Sequence, residues 1–171
     1  MNNFAPIPGS TILDSIAGRK MIIMATNTRV TTVARGIFRA AKDTDSAVFI
    51  ELARSECDLK GGYTGLTPET FSERVKKAAQ DTECDIWALH ADHITIKTGE
   101  PQEIDDTKKL IDAQIEAGYT SFAIDASHLF NFQGKNLREE LDKNIRVTTE
   151  LAKYIEKRMK GKEFGLEVEV G

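Results

Sequence analysis

The feature that most narrows the fold is an alternation: five short apolar runs, each separated from the next by a stretch with helical hydrophobic spacing. The apolar runs predict strands over 21–25 ("MIIMA"), 47–52 ("AVFIEL"), 85–90 ("DIWALH"), 120–125 ("TSFAID") and from 164 in "FGLEVEV". Between the first two lies "RVTTVARGIFRAAKD", with Val30, Val33, Ile37 and Ala41 near helical spacing. "TPETFSERVKKAAQD" is expected to be a helix capped by Thr67 with Pro68 in its first turn. "EIDDTKKLIDAQIEAG" has acidic residues early and Gly118 as its stop, and a long helix over 137–160 ends near Gly161. Strands alternating with helices form a parallel sheet with the helices packed outside it.

That rhythm suits a doubly wound open sheet and a (β/α)8 barrel alike. No G-x-G-x-x-G follows the first strand, so the phosphate turn of a dinucleotide site is absent. A short helix in "GSTILDSIAG", ahead of the first strand, is placed to plug the bottom of a barrel, which tilts the reading toward the TIM barrel. A closed barrel of this kind takes roughly 200–250 residues. The chain has 171, so we expect residues 1–171 to be one domain holding about the first five strands and four helices, continuing beyond Gly171.

Composition removes several function classes. A net charge of −4 gives no basic footprint for nucleic acid or an anionic membrane surface. No apolar run reaches the roughly 20 residues of a membrane span, and "MNNFAPIPGS" lacks the parts of a signal peptide. Two widely spaced cysteines, Cys57 and Cys84, suit reduced thiols in a cytoplasmic protein.

In parallel α/β folds, functional groups collect at the carboxyl ends of the strands. Here those positions hold Asn27, Glu51, the trio His90, Asp92 and His93, and the trio Asp125, Ser127 and His128. Buried parallel strands should read as nearly continuous Val, Ile and Leu, so these polar ends ask for a reason other than packing. In "LEVEV", Leu166, Val168 and Val170 share one face, and Glu167 and Glu169 the other. Buried carboxylates need cations, hydrogen bonds or a metal, whereas an exposed edge strand would leave these two solvated. In "WALHADHITIK", an extended strand would turn His90 and Asp92 to one face and His93 to the other. A turn at the strand end would bring Asp92 and His93 together at the mouth. Imidazole and carboxylate are metal-binding and proton-moving groups.

"ALHADH" resembles the H-x-D-H motif of the class II, metal-dependent fructose-bisphosphate aldolase family, which also includes tagatose-bisphosphate aldolases. "AGYTSFAIDASHL" and "GLEVEVG" are similar to two further motifs of that family, and "MIIMATNTRVTTVARGIFRAAKDTDSAVFIEL" to its opening, all in the family's order. The resemblance implies a TIM barrel that cleaves fructose 1,6-bisphosphate to dihydroxyacetone phosphate and glyceraldehyde 3-phosphate. It places the chain in cytoplasmic carbohydrate metabolism, in glycolysis and gluconeogenesis. It implies Asp92 as the acid/base at the C4 hydroxyl and His93 as a ligand of a catalytic zinc that stabilises the enediolate. Asp125 and Glu169 are implied at a second metal position, with His90, Asn27 and Glu167 in support. Cobalt, iron or manganese would also suit such ligands. No Schiff-base lysine is required, so Lys60 and Lys97 carry no covalent role. A site of His90, His93 and His128 is disfavoured, because His128 matches a family position that is not a ligand.

The family's remaining zinc histidines and phosphate loops lie on later strands. "FNFQGKNLREEL" lengthens the loop after strand four, and "ECDLKGGYTGLTPETF" is closer to a companion, non-catalytic subunit of some tagatose-bisphosphate aldolases. The alternative is therefore an aldolase-like barrel that binds or stabilises a partner enzyme. The expected partners are a phosphorylated sugar and further copies of the chain in a homo-oligomer.

Overall fold

The computed structural model describes residues 4–170; Gly171, which closes the strand-five motif, lies outside them, as do residues 1–3. Strands β1 (Met24–Asn27), β2 (Val48–Ala53), β3 (Trp87–Thr95), β4 (Ser121–Asp125) and β5 (Gly165–Glu169) form one sheet in sequence order. Every neighbouring pair is parallel. Helices α2 (Ala34–Asp43), α3 (Pro68–Thr82), α4 (Pro101–Ala117) and α5 (Leu137–Met159) follow the first four strands, each packed on the next. A doubly wound sheet reverses its strand order partway, and this one does not. The order 1-2-3-4-5 with helices on one face is that of a barrel wall, an arc of a TIM barrel.

The two faces of the sheet have different chemistry. Ile50, Leu52, Leu89, Ala91, Ile94, Phe122 and Ile124 turn outward and pack with Phe38, Phe71, Val75, Ile111, Leu151 and Ile155 of the helices. Trp87 meets Phe38 edge-on there, ring centroids 5.1 Å apart. The inner face carries a smaller apolar cluster, Phe49 and Ala88 with Ile12 of helix α1 (Gly9–Ile16). As expected, the segment around α1 closes the lower end of the strands. Ile7 N–H donates to the Trp87 carbonyl at 2.8 Å, and Gly9 N–H to that of Thr120 at 3.0 Å. Gly9 has to be small, since a Cβ there would lie 2.7 Å from Ser121 Cβ.

Thr67 caps α3 by accepting from Thr70 N–H, and Gly118 ends α4 in the left-handed conformation, at φ 87°. Three expectations need correction. Strand β1 begins at Met24, not Met21, because β2 offers no partner before Val48. Helix α2 begins only at Ala34, after a 3-10 turn over Thr31–Val33, so Val30 and Val33 are exposed and Ala34, Phe38 and Ala41 face the core. The β-branched run "VTTV" is a poor start for an α-helix. Strand β3 does not stop at His90 but runs to Thr95. Cys57 and Cys84 are buried free thiols, and no helix among the described residues is long and apolar enough to cross a membrane.

Candidate metal and acid–base site

A bulge in β3 builds the site. Ala91 pairs with Phe122 and Ile94 with Ile124, so two residues, Asp92 and His93, stand opposite the single Ala123. The extra residue is His93, held at φ +40°, a backbone conformation that is uncommon outside glycine. Strict alternation would turn His93 outward with Leu89 and Ala91. The bulge instead resets the phase, returning Ile94 to the outer core and Thr95 to the inner face, where it reaches Asp125. Asp92 and His93 are thereby both presented at the mouth, by a bulge within the strand and not by a turn at its end.

Around His93 the carboxylates of two further strands converge. Its Nδ1 lies 3.3 Å from Asp125 Oδ2 on β4 and 3.0 Å from Glu169 Oε1 on β5, and its Nε2 lies 3.9 Å from Asp92 Oδ1. Asp125 pairs with Glu169 in the β4–β5 register, which places both at the same height on the inner face, as the alternation in "LEVEV" predicts. Asp125 is buried, and Ser127 donates to its Oδ1 from both N–H (3.0 Å) and Oγ (2.6 Å). Burial works against an ionised Asp125, but the hydrogen bonds of Ser127, with those of His93 and Thr95, outweigh it and hold the carboxyl below its usual range. Burial likewise works against a charged His93, while Asp92, Asp125 and Glu169 outweigh it and raise the imidazole.

The resemblance implies separate metal positions for His93 and for Asp125 with Glu169, but here the three residues form one cluster, each offering one ligating atom within 4.8 Å of the others. One imidazole and two carboxylates, with a third carboxylate beside them, form an excess of negative charge that a divalent cation fits. Zinc, cobalt, iron and manganese all accept this donor set.

His90 sits deeper. It is buried, its Nδ1 is 2.8 Å from Ser121 Oγ, and its Nε2 is 3.7 Å from Glu167 Oε2. Burial, then the neighbouring His93, pushes its imidazole down to about 4, so it is neutral in ordinary buffers. Glu51, His90 and Asp92 form a second convergent group, again with one atom from each within 4.8 Å. Burial raises Asp92, and it pushes Glu51, with Asp92 and Glu167 adding, up to about 7.

The other expected residues take different places. Asn27 stands at the end of β1, but its amide donates to Glu56 at 2.6 Å. Glu167 points inward at His90 yet stays largely in solvent. His128 is exposed, in a groove with Lys97 and Arg146 beside α5, away from His90 and His93. Sequence reasoning missed Glu56, a buried carboxylate just after β2 that accepts from Asn27, Arg29, Tyr63 and the Ala53 N–H. Its one signal was an acidic residue opening the unusual "ECDLKGGYTG" loop. Ser121, the partner of His90, gave no signal of its own.

Comparison with known proteins bears on the fold and the family. Among curated proteins the chain is similar to D-tagatose 6-phosphate 4-epimerase of Agrobacterium fabrum (strain C58 / ATCC 33970), 30% identical over 101 residues, 56% of this chain and 24% of that protein. Among solved structures it resembles a probable tagatose 6 phosphate kinase from Sinorhizobium meliloti 1021, with TM-score 0.63 and 21% identity. That match covers 85% of this chain and 38% of the other, and it shows a shared fold. The chain thus spans about a quarter of the length of the curated relative. The model of the class-II fructose-bisphosphate aldolase family matches residues 8–171, and the chain belongs to that family.

Proposed function

We propose that this chain carries the acid–base and metal-holding part of a site that reversibly breaks the C3–C4 bond of a ketose phosphate. The observation behind the reading is the convergence of His93, Asp125 and Glu169 from three neighbouring strands, with the Asp92 carboxylate 3.9 Å from the His93 ring. A divalent cation held by His93, Asp125 and Glu169 would act as a Lewis acid toward the substrate's carbonyl and hydroxyl oxygens. Asp92 takes the proton of the C4 hydroxyl as the C3–C4 bond breaks, and returns it in the condensation direction. Ser127 and Thr95 orient Asp125, and Ser121 holds the tilt of His90, whose neutral ring lines the floor. Lys97 opens onto the groove beside α5, outside the two convergent groups, which agrees with a mechanism free of a lysine imine.

In the first reading the substrate is fructose 1,6-bisphosphate, the products leave as dihydroxyacetone phosphate and glyceraldehyde 3-phosphate, and the metal is zinc. The protein then serves cytoplasmic carbohydrate metabolism as a homo-oligomer. The similarity to a tagatose 6-phosphate 4-epimerase favours a second reading on the same chemistry. In a 2-ketose the hydrogen on C4 is one carbon too far from the carbonyl to be acidic. Inverting C4 through this site therefore means breaking C3–C4 and remaking it on the other face of the aldehyde.

The test is cleavage of fructose 1,6-bisphosphate and of tagatose 6-phosphate by protein stripped with a chelator and then given zinc. Turnover abolished by chelator and restored by zinc is the expected outcome. Zinc-loaded protein that acts on neither sugar would refute the catalytic reading in favour of a companion subunit.

A further inference from the structure

Glu51 takes no part in the steps above, although it stands in the middle of the inner face. It is level with Asn27 of β1 and His90 of β3, and one of its oxygens lies within 4.8 Å of ligating atoms of both His90 and Asp92. The charged or titratable groups around it are His90, Asp92 and His93 from β3, Glu167 from β5 and Glu56 from the loop after β2. A cavity of about 200 Å³ opens beside it, where Glu51, His90, Ser121 and Glu167 meet apolar side chains that include Leu13 and Ile16 of α1. With its carboxyl pushed up to about 7, Glu51 both holds and releases a proton near neutrality.

Inversion at C4 poses a geometric demand that cleavage alone does not. Once C3–C4 has broken, C4 is a flat aldehyde carbon, and turning it over moves its oxygen by roughly 2.5 Å, twice the carbonyl bond length. Asp92, which took the proton at the first oxygen position, no longer faces the second. A donor is needed a few ångströms away on the same inner face.

We propose that Glu51 is the second acid–base group of this site, protonating the C4 oxygen when the C3–C4 bond re-forms on the opposite face of the aldehyde. The step balances. Asp92 accepts the C4 hydroxyl proton, and the C3–C4 electron pair stays with the C3 fragment. That pair then bonds to the other face of C4, and the oxygen of C4 takes the proton of Glu51. Asp92 is left protonated and Glu51 ionised, and one proton passing across the gap between them resets the site. No oxidant or reductant enters. The inference rests on the retro-aldol reading and deepens its epimerase form.

The experiment gives D-tagatose 6-phosphate to zinc-loaded wild-type chain, Glu51→Gln, Glu51→Asp and Asp92→Asn. The cleaved fragments and the C4-inverted sugar, fructose 6-phosphate, are quantified together, and thermal melts confirm that each variant is folded. Glu51→Gln should lower the ratio of inverted sugar to fragments by roughly 100-fold, the scale of a lost general acid. Glu51→Asp should restore part of that ratio, and Asp92→Asn should suppress both products. An unchanged ratio in Glu51→Gln overturns the inference, as does an equal loss of both products, which marks a structural role. A wild-type chain yielding neither product overturns the retro-aldol reading, and the inference with it.

Discussion

Replacing Glu56 by glutamine should destabilise the chain by about 3 kcal/mol at pH 7, with an effect that narrows in acid. The Glu56 side chain is 3% exposed, while its partner Arg29 is half in solvent. The carboxylate accepts from Tyr63 Oη at 2.6 Å, Asn27 Nδ2 at 2.6 Å, the Ala53 N–H at 2.9 Å and the Arg29 guanidinium. Burial alone would raise its pKa; the four donors outweigh burial and hold it at about 2, against an ordinary 4.5. At about 1.36 kcal/mol per unit, that gap is worth roughly 3 kcal/mol. Glutamine removes the charge and turns an NH2 group toward donors that had an acceptor. The folded pKa lies below the unfolded one, so the stabilisation is complete above about pH 5 and is lost as pH falls toward 2. Paired thermal melts of wild type and Glu56→Gln at pH 7, 5 and 3 read this directly. For a chain of this size the Tm difference at pH 7 should be about 6–12 °C. A difference under about 1 kcal/mol at pH 7, or one as large at pH 3 as at pH 7, would refute the account of Glu56 as an ionised, donor-saturated hub.

Two further outcomes bear on the site and on the lower closure. Asp125→Ala should weaken zinc binding by more than tenfold in calorimetric titration, and Ser127→Ala, which removes the 2.6 Å hydrogen bond to Asp125 Oδ1, by roughly tenfold; unaltered zinc affinity in both would place the cation elsewhere. Gly165→Ala should cost about 2–3 kcal/mol, because its Cβ would lie 2.5 Å from Ser121 Oγ and 3.1 Å from the Gly9 backbone. A melting temperature within a degree of wild type would mean that the α1 segment shifts freely.

Hydrophobic periodicity is a local property, and what it encodes was legible in the chain itself. The strand–helix alternation, the plugging helix, the Thr67 cap, the Gly118 stop and the inward facing of Glu167 and Glu169 all follow from residues a few positions apart. The H-x-D-H segment was equally visible, and so was its kinship with Asp125 and Glu169, because the motifs retain their order. What the tertiary structure decided depends on pairing between distant segments. The phase of β3 past Ala91 is set by its register against β4, and only that bulge brings His93 to the mouth, 32 positions in sequence from the Asp125 it faces. Asn27 turns to Glu56 because the loop after β2 folds back across the end of β1, 29 positions on. Val30 and Val33 have the spacing of a core face but lie on a turn that precedes the helix. Glu51 read as a strand-end glutamate, and only its burial on the inner face, with Asp92 and Glu167 packed about it, pushes its carboxyl up to about 7. Alternation tells a side chain which face of its own strand it occupies; register, bulges and crossing loops decide which charges it meets there.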